Sequence, residues 1–215
     1  IHITINKHMI SGGGLGTTGA SAAGCIYGAN KLLGLELDKN QMIEFASLGE
    51  VASGGSPHAD NVSAALLGGF TLVKSYNPID VLKLDLWEIP VVLAIMRKQQ
   101  RTTRGFITYQ IGEVKLKDQI ARCSSVIHAI HSRDIKEFGK AITIDHIAEP
   151  VRSAAIPNYN ETKKKALDAG ALGFNISGGG SSVFAICQKE DINKIAEIME
   201  NNFSKNPTYE HLIKT

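Results

Sequence analysis

Read for the spacing of its apolar positions, the chain alternates two periods. The opening "IHITIN" places Ile1, Ile3 and Ile5 every second residue, the period of a half-buried strand. After a glycine-rich break, "GASAAGCIYGANKLLG" is nearly all small residues until Ile26, Tyr27, Leu32 and Leu33, then closes on Gly34. That spacing predicts a close-packed helix with a glycine stop. Asp38 and Gln41 form a capping box ahead of Met42, Phe45 and Ala46 at helical spacing, and the helix should fray at "SGGSP". A short helix over "HADNVSAALLGG" follows, with Asp60 as its expected cap. "FTLVKS" reads as a strand, and residues 79–96 give two further strand-like runs around Glu88 and Pro90.

From Leu116 the period returns to that of a helix, with Ile120, Cys123, Ile127 and Ile130 on one face. A second helix is predicted over 134–142, then helix 159–169, strand 171–177, strand 183–187, helix 191–202 and a last strand near 208–213. Helices alternating with strands in this way predict an α+β domain with helices on one sheet face. The alternation of Ile1–Ile5 starts at the first residue, which predicts that the sequence is the remainder of a longer chain.

At 215 residues, 43% of them hydrophobic, the chain can bury a good core and hold one domain or two small ones. The mean hydropathy of −0.03 is that of a globular protein. A net charge of +2 gives no bias towards nucleic acid or a membrane surface. The longest apolar run, "IPVVLAIM", is a strand's length and too short to span a bilayer. Cys25, Cys123 and Cys187 are odd in number and far apart, as expected of reduced thiols in a cytoplasmic protein.

Three loops are small and polar: "SGGGLGTT" at 11–18, "SGGSPHADN" at 53–61 and "SGGGSS" at 177–182. The first lies between a predicted strand and a predicted helix. It is either a plain turn or a cradle in which the first helical amides, at Thr17 and Thr18, meet an anion. Its spacing is not that of a Walker loop, since no Lys follows the last glycine. Glu50 ends its helix eight residues before His58, and Asn61 lies on the next helix. Thr17 or Thr18 with Glu50 could supply the hard oxygen ligands that Mg²⁺ prefers. Glu50 could equally be a solvated helix-end carboxylate, and His58 and Asn61 could simply turn the chain. His128 with His131, and His146 with Glu149, lack a third metal ligand, and the basic run 97–104 reads as solvated surface, though it could meet phosphate or carboxylate.

Taken together, "GGGLGTT", "GSPHADNVSAALLGGF" with Glu50 ahead of it, "IAEPVR" and "GALGFNISGGGSSVFAI" resemble the GHMP kinase superfamily, and within it the homoserine kinases. The resemblance implies a partial ribosomal S5 domain 2-like N-terminal domain over 1–85 and a ferredoxin-like C-terminal domain over 86–215. It implies transfer of the γ-phosphoryl group of ATP to the side-chain hydroxyl of L-homoserine, on the route to threonine. Carried over by position, Gly12, Gly13, Gly14, Leu15, Gly16, Thr17 and Thr18 would wrap the ATP phosphates, and Thr18 and Glu50 would hold Mg²⁺. His58 and Asn61 would line the amino-acid pocket, with Asn61 near the acceptor hydroxyl. Arg152 would pair with the substrate carboxylate, joined by Arg104.

The expected partners are these small molecules and, among macromolecules, a second copy in a homodimer. The alternatives are another small-molecule kinase of the superfamily, such as one acting on mevalonate, and a non-catalytic nucleotide- or amino-acid-binding relative. The sequence departs from the family pattern at Ile10, Gly13, Ser181, Ser182 and most strongly across 95–107. For these 215 residues alone, little or no activity is expected.

Overall fold

The computed structural model describes residues 2–54, 57–98 and 111–215. Among them, 2–12 and 16–86 belong to one compact unit, and 13–15, 87–98 and 111–215 to another.

The first unit holds three helices and a hairpin: α1 (Thr17–Leu33), α2 (Lys39–Gly54), α3 (Ala59–Leu67), β1 (Phe70–Tyr76) and β2 (Ile79–Leu84). Helix α1 stops where the sequence predicts. Gly34 takes a left-handed φ of 60° and its amide returns to the Asn30 carbonyl. The capping box of α2 forms as expected: Asp38 accepts from the Asn40 and Gln41 amides at 2.8 and 2.9 Å, and the Gln41 side chain accepts from the Asp38 amide at 3.0 Å. The core is built of small and branched residues, Ala23, Ile43, Ala46, Ala59, Val62 and Val81. Alanines at these contacts let helices pack closely. β1 and β2 pair antiparallel, from Phe70 opposite Leu84 to Tyr76 opposite Ile79.

Three expectations are corrected here. Residues 2–6 form no strand, and Ile3 and Ile5 are 54% and 49% exposed. Alternation makes a strand only where a neighbour offers a ladder, and among the described residues none pairs with 2–6. The α3 cap is His58, with Asp60 inside the first turn. The inward stripe of α2 is Ile43, Ala46, Ser47 and Glu50, while Phe45 faces outwards at 46% exposure.

The second unit is a four-stranded antiparallel sheet with helices. Its strands are β3 (Val91–Met96), β4 (Gly173–Ile176), β5 (Val183–Ile186) and β6 (Tyr209–Lys214), in spatial order β4-β5-β3-β6. Its helices are α4 (Glu113–Ser132), α5 (Ile135–Thr143), α6 (Glu149–Arg152), α7 (Tyr159–Asp168) and α8 (Ile192–Phe203). The strand order with its intervening helices is the ferredoxin-like arrangement. Alternate residues Val92, Ala94 and Met96 of β3, Phe174 and Ile176 of β4, and Val183 and Ala185 of β5 are buried in one core cluster. Ala166 of α7 and Ile195, Met199 and Phe203 of α8 join them there.

Helix α5 starts at Asp134, whose carboxylate accepts from the Lys136 and Glu137 amides. It meets the start of β4 backbone to backbone: a Cβ on Gly139 would lie 2.4 Å from the Leu172 carbonyl oxygen. In α4 the expected stripe is displaced by one position. Ala129 and Ile130 are buried, but Ile120 is 60% exposed and Cys123 is exposed. Gln119, Arg122 and Val126 are half-buried in their place, and Asp118, its side chain 43% exposed, accepts from Arg122 Nε and contacts His146 Nε2, each at 2.6 Å.

Candidate active site

In the first unit, α1 begins at Gly16, which is left-handed (φ 67°) and has no side chain with which to cap the helix. The first helical bond runs from the Ala20 amide to the Gly16 carbonyl at 2.9 Å. Helix geometry leaves the earlier amides, at Thr17, Thr18 and Gly19, with no intrahelical acceptor. They carry the positive end of the helix dipole, and no acidic side chain occupies the first turn.

Two side chains from other helices lie against this end. A Cβ on Gly19 would sit 2.9 Å from Asn61 Cβ and 3.0 Å from Glu50 Oε1, and one on Gly16 would sit 3.4 Å from Asn61 Oδ1. Glu50 reaches this place because it continues the inward stripe of α2, seven residues after Ile43, and it is only 4% exposed. Its other oxygen, Oε2, lies 3.3 Å from His58 Nδ1, an ion-pair distance. A carboxylate is costly to bury, so a buried one marks a position that needs charge. Glu50 is therefore not the solvated helix-end group that the sequence leaves open. Thr17 is half-buried and Thr18 exposed. A buried carboxylate at the uncapped start of a helix combines a negative charge with free amide donors, and a hard cation that keeps several waters suits such an oxygen ligand. Among the described residues, no group of three or more His, Cys, Asp or Glu side chains forms a metal cage.

In the second unit the glycine segment 13–15 is clasped by the loop 177–182. The Ser182 amide donates to the Gly13 carbonyl at 2.9 Å, and Ser177 Oγ donates to the Gly14 carbonyl at 3.0 Å. The clasping loop is itself closed by the Gly180 amide on the Ser177 carbonyl at 2.8 Å. Gly14 has φ +86°, and a Cβ there would lie 2.1 Å from the Ser177 carbonyl oxygen, so no other residue fits. Ser182 is fully buried, and its hydroxyl also accepts from the Met96 amide at 3.2 Å. Arg152, at the end of α6, donates from its guanidinium to the Gly178 carbonyl.

The two sets of residues predicted from sequence thus fall as follows. Gly16, Glu50, His58 and Asn61 come together in the first unit. Gly13, Gly14 and Arg152 gather on the loop 177–182 of the second. Within the glycine loop, Gly12 and Gly16 belong to the first unit and Gly13–Leu15 to the second. Arg104 and most of the divergent 95–107 segment lie outside the described residues. His146 is engaged by Asp118, and His128 lies 3.8 Å from Glu137, so each of these histidines faces a carboxylate.

Gly19, Ser177 and Ser182 were not singled out from sequence as site residues. The signal for the serines was present in the small, polar composition of "SGGGSS". Gly19 looks like one more small residue in a helix full of them.

Comparison with known proteins gives the family. The model of the GHMP kinases N terminal domain matches residues 1–69, and that of the GHMP kinases C terminal matches residues 126–205. A homoserine kinase from Methanococcus vannielii is 36% identical over 206 residues, covering 95% of this chain and 68% of the relative. One from Methanococcus maripaludis is 35% identical, covering 93% of this chain and 66% of the relative. The crystal structure of homoserine kinase from Cytophaga hutchinsonii superposes with a TM-score of 0.86 at 35% identity, covering 97% of this chain and 67% of that one. The class is thus that of the GHMP kinases. Within it, the chain belongs to the homoserine kinase family, and it spans about two thirds of the length of these relatives.

Proposed function

We propose that the protein phosphorylates the side-chain hydroxyl of L-homoserine with ATP, giving O-phospho-L-homoserine and ADP. The observation that carries the reading is the buried Glu50 carboxylate held beside the uncapped start of α1, with Asn61 at its side. In this reading the amides of residues 12–18 receive the ATP phosphates. Glu50 and Thr18 would hold Mg²⁺, which supplies charge neutralisation at the β- and γ-phosphate oxygens. Asn61 and His58 line the amino-acid pocket, and Asn61 orients the hydroxyl. Arg152 and Arg104 grip the α-carboxylate, for which a guanidinium's planar fork is suited.

The hydroxyl oxygen bonds to the γ-phosphorus as the bond from that phosphorus to the β,γ-bridging oxygen breaks. ADP leaves with the electron pair, and the hydroxyl proton passes to solvent. Such transfer rests mostly on positioning and electrostatics, so no strong general base is required.

Mevalonate kinase from L. major superposes with a TM-score of 0.67 at 15% identity, which speaks to fold alone. We assign the reaction to the cytoplasm, in keeping with three free thiols. Among the described residues no helix is long and apolar enough to cross a membrane. A homodimer belongs to the same proposal, and sedimentation would give its mass.

A substrate panel tests the function. With the protein expressed from its complete gene, ADP release should depend on L-homoserine and should fall at least about a hundredfold in kcat/KM with mevalonate, which lacks an α-amino group. Equal rates with mevalonate, or binding of ATP and homoserine without turnover, would contradict it.

A further inference from the structure

Helix α6 has only four residues and continues into a single 3₁₀ turn at Ser153–Ala155, together still too short to be stable on its own. Its neighbours hold it. The Asp145 carboxylate accepts from the Ile147, Ala148 and Glu149 amides at 2.7, 2.9 and 3.3 Å. Glu149 Oε2 answers by accepting from the Asp145 amide at 3.4 Å. The second oxygen, Glu149 Oε1, accepts from the Tyr159 hydroxyl at 2.8 Å and pairs with Lys163 Nζ, which also donates to the Thr143 carbonyl.

Tyr159 and Lys163 lie on α7, and α7 is anchored in the core: Tyr159 is 2% exposed and packs edge-on to Phe174 at 5.6 Å. Burial and then the Glu149 bond hold the Tyr159 hydroxyl well above the ordinary tyrosine range, so it remains a donor at working pH. Three residues after Glu149, the Arg152 amide closes the same turn on the Ala148 carbonyl at 3.0 Å, and its guanidinium leaves towards Gly178.

We infer that Lys163 and Tyr159, acting through Glu149, are positioning residues that aim Arg152 and so set the grip on the substrate's carboxylate. The second half of this inference rests on the homoserine reading above. The physical reason is leverage on a short element. A one-turn helix has no cooperative reserve, so loosening Glu149 loosens Arg152 as well. A long helix would absorb the same loss within one turn. Lys163 can act in this way because its partner is mostly shielded: the two side chains are 17% and 14% exposed. Lys164, one residue on, pairs with Asp168 in the open, at 79% and 65% exposure, where such pairs contribute little.

The test compares Lys163→Met, Lys163→Arg and Tyr159→Phe, with Lys164→Met as the control. Lys163→Met should raise the homoserine KM about tenfold and leave the ATP KM within about twofold. Lys163→Arg should restore most of the affinity, Tyr159→Phe should shift the same KM less, and Lys164→Met should do nothing. Hydrogen exchange reads the positioning without reference to turnover. Peptides over 145–153 should exchange faster in Lys163→Met, while those over α8 keep the parental rate.

If the parental protein does not act on homoserine, the functional reading fails alone and exchange decides the positioning. If Lys163→Met does not fold, Tyr159→Phe, which keeps the packed ring, carries the same comparison. Unchanged exchange over 145–153, exchange that rises everywhere, or two KM values that move together would overturn the inference.

Discussion

Gly19 and Gly24 sit on one helix, five residues apart, and alanine should act on them in opposite ways. A Cβ on Gly24 would meet nothing within 4 Å. Gly24→Ala should therefore stabilise the protein by about 0.5–1 kcal/mol, read as a small rise in Tm. On Gly19 the new methyl would lie 2.9 Å from Asn61 Cβ and 3.3 Å from the Asn61 carbonyl carbon, atoms that move only with the α3 backbone, and 3.0 Å from Glu50 Oε1. Gly19→Ala should lower kcat at least about tenfold and lower Tm as well, because α3 must shift to make room. Gly14 differs again, because its neighbours are backbone atoms of Ser177 and Gly180 that cannot swing away, and alanine there should unseat the loop and lower Tm.

Glu50→Gln keeps size and removes the charge. It should lower kcat on the order of 10²–10³-fold, with part of the rate recovered by added Mg²⁺. Turnover unchanged at limiting Mg²⁺ would end the metal assignment. Arg152→Ala should cost about 1.5–3 kcal/mol in homoserine binding and leave the ATP KM in place, and Arg152→Lys should recover only part. Equal shifts in the two KM values would make Arg152 structural. At this scale the sequence is informative about which residues matter and poor on why. Glu50 stands out by its spacing to His58, but only packing reveals that it is buried. "SGGGLGTT" looks like one anion cradle, whereas Gly13 and Gly14 spend their carbonyls on Ser182 and Ser177.

At the scale of elements, local signals held where a residue acts within its own turn. The Asp38–Gln41 box and the Gly34 stop formed as read, since each depends only on neighbours three to five residues away. Asp38→Ala should cost about 1 kcal/mol, measurable by denaturant unfolding with an unchanged m-value. Readings failed where a partner from elsewhere decides. Ile1–Ile5 alternates like a strand, yet residues 2–6 pair with no strand among the described residues, and alternation alone supplies no ladder. The α4 stripe is displaced by one position, and Arg122 on its inward side donates to Asp118, which also contacts His146. The Arg122 hydrogen bond, and after it His146, hold Asp118 below the usual carboxylate range. A depressed carboxylate contributes stability above its unfolded value and loses it as pH falls through the folded one. Asp118→Asn should therefore flatten part of the acid limb of the stability curve.

For the whole molecule, the order of helices and strands was legible almost throughout the second unit, because its strands and helices alternate with strong periods. The clasp of 13–15 by 177–182 was not, since contacts more than 160 residues apart leave no local trace. Cys187 offers an independent check on that core. It is fully buried, and burial pushes its thiol up to about 11 from an ordinary 9.0. A raised thiol pKa contributes stability that is complete below 9 and is lost as pH climbs towards 11, because the unfolded chain ionises first. At pH 8 a thiol reagent should label exposed Cys123 quickly and Cys187 only on unfolding.

Phosphoryl transfer to homoserine is read most directly by ³¹P NMR of ATP, Mg²⁺, L-homoserine and the protein expressed from its complete gene. The γ-phosphate resonance should decline as one phosphomonoester resonance, coupled to the side-chain methylene protons of homoserine, rises in equal amount with ADP. Release of inorganic phosphate at the same rate with or without homoserine, or an ATP spectrum that does not change, would contradict the account.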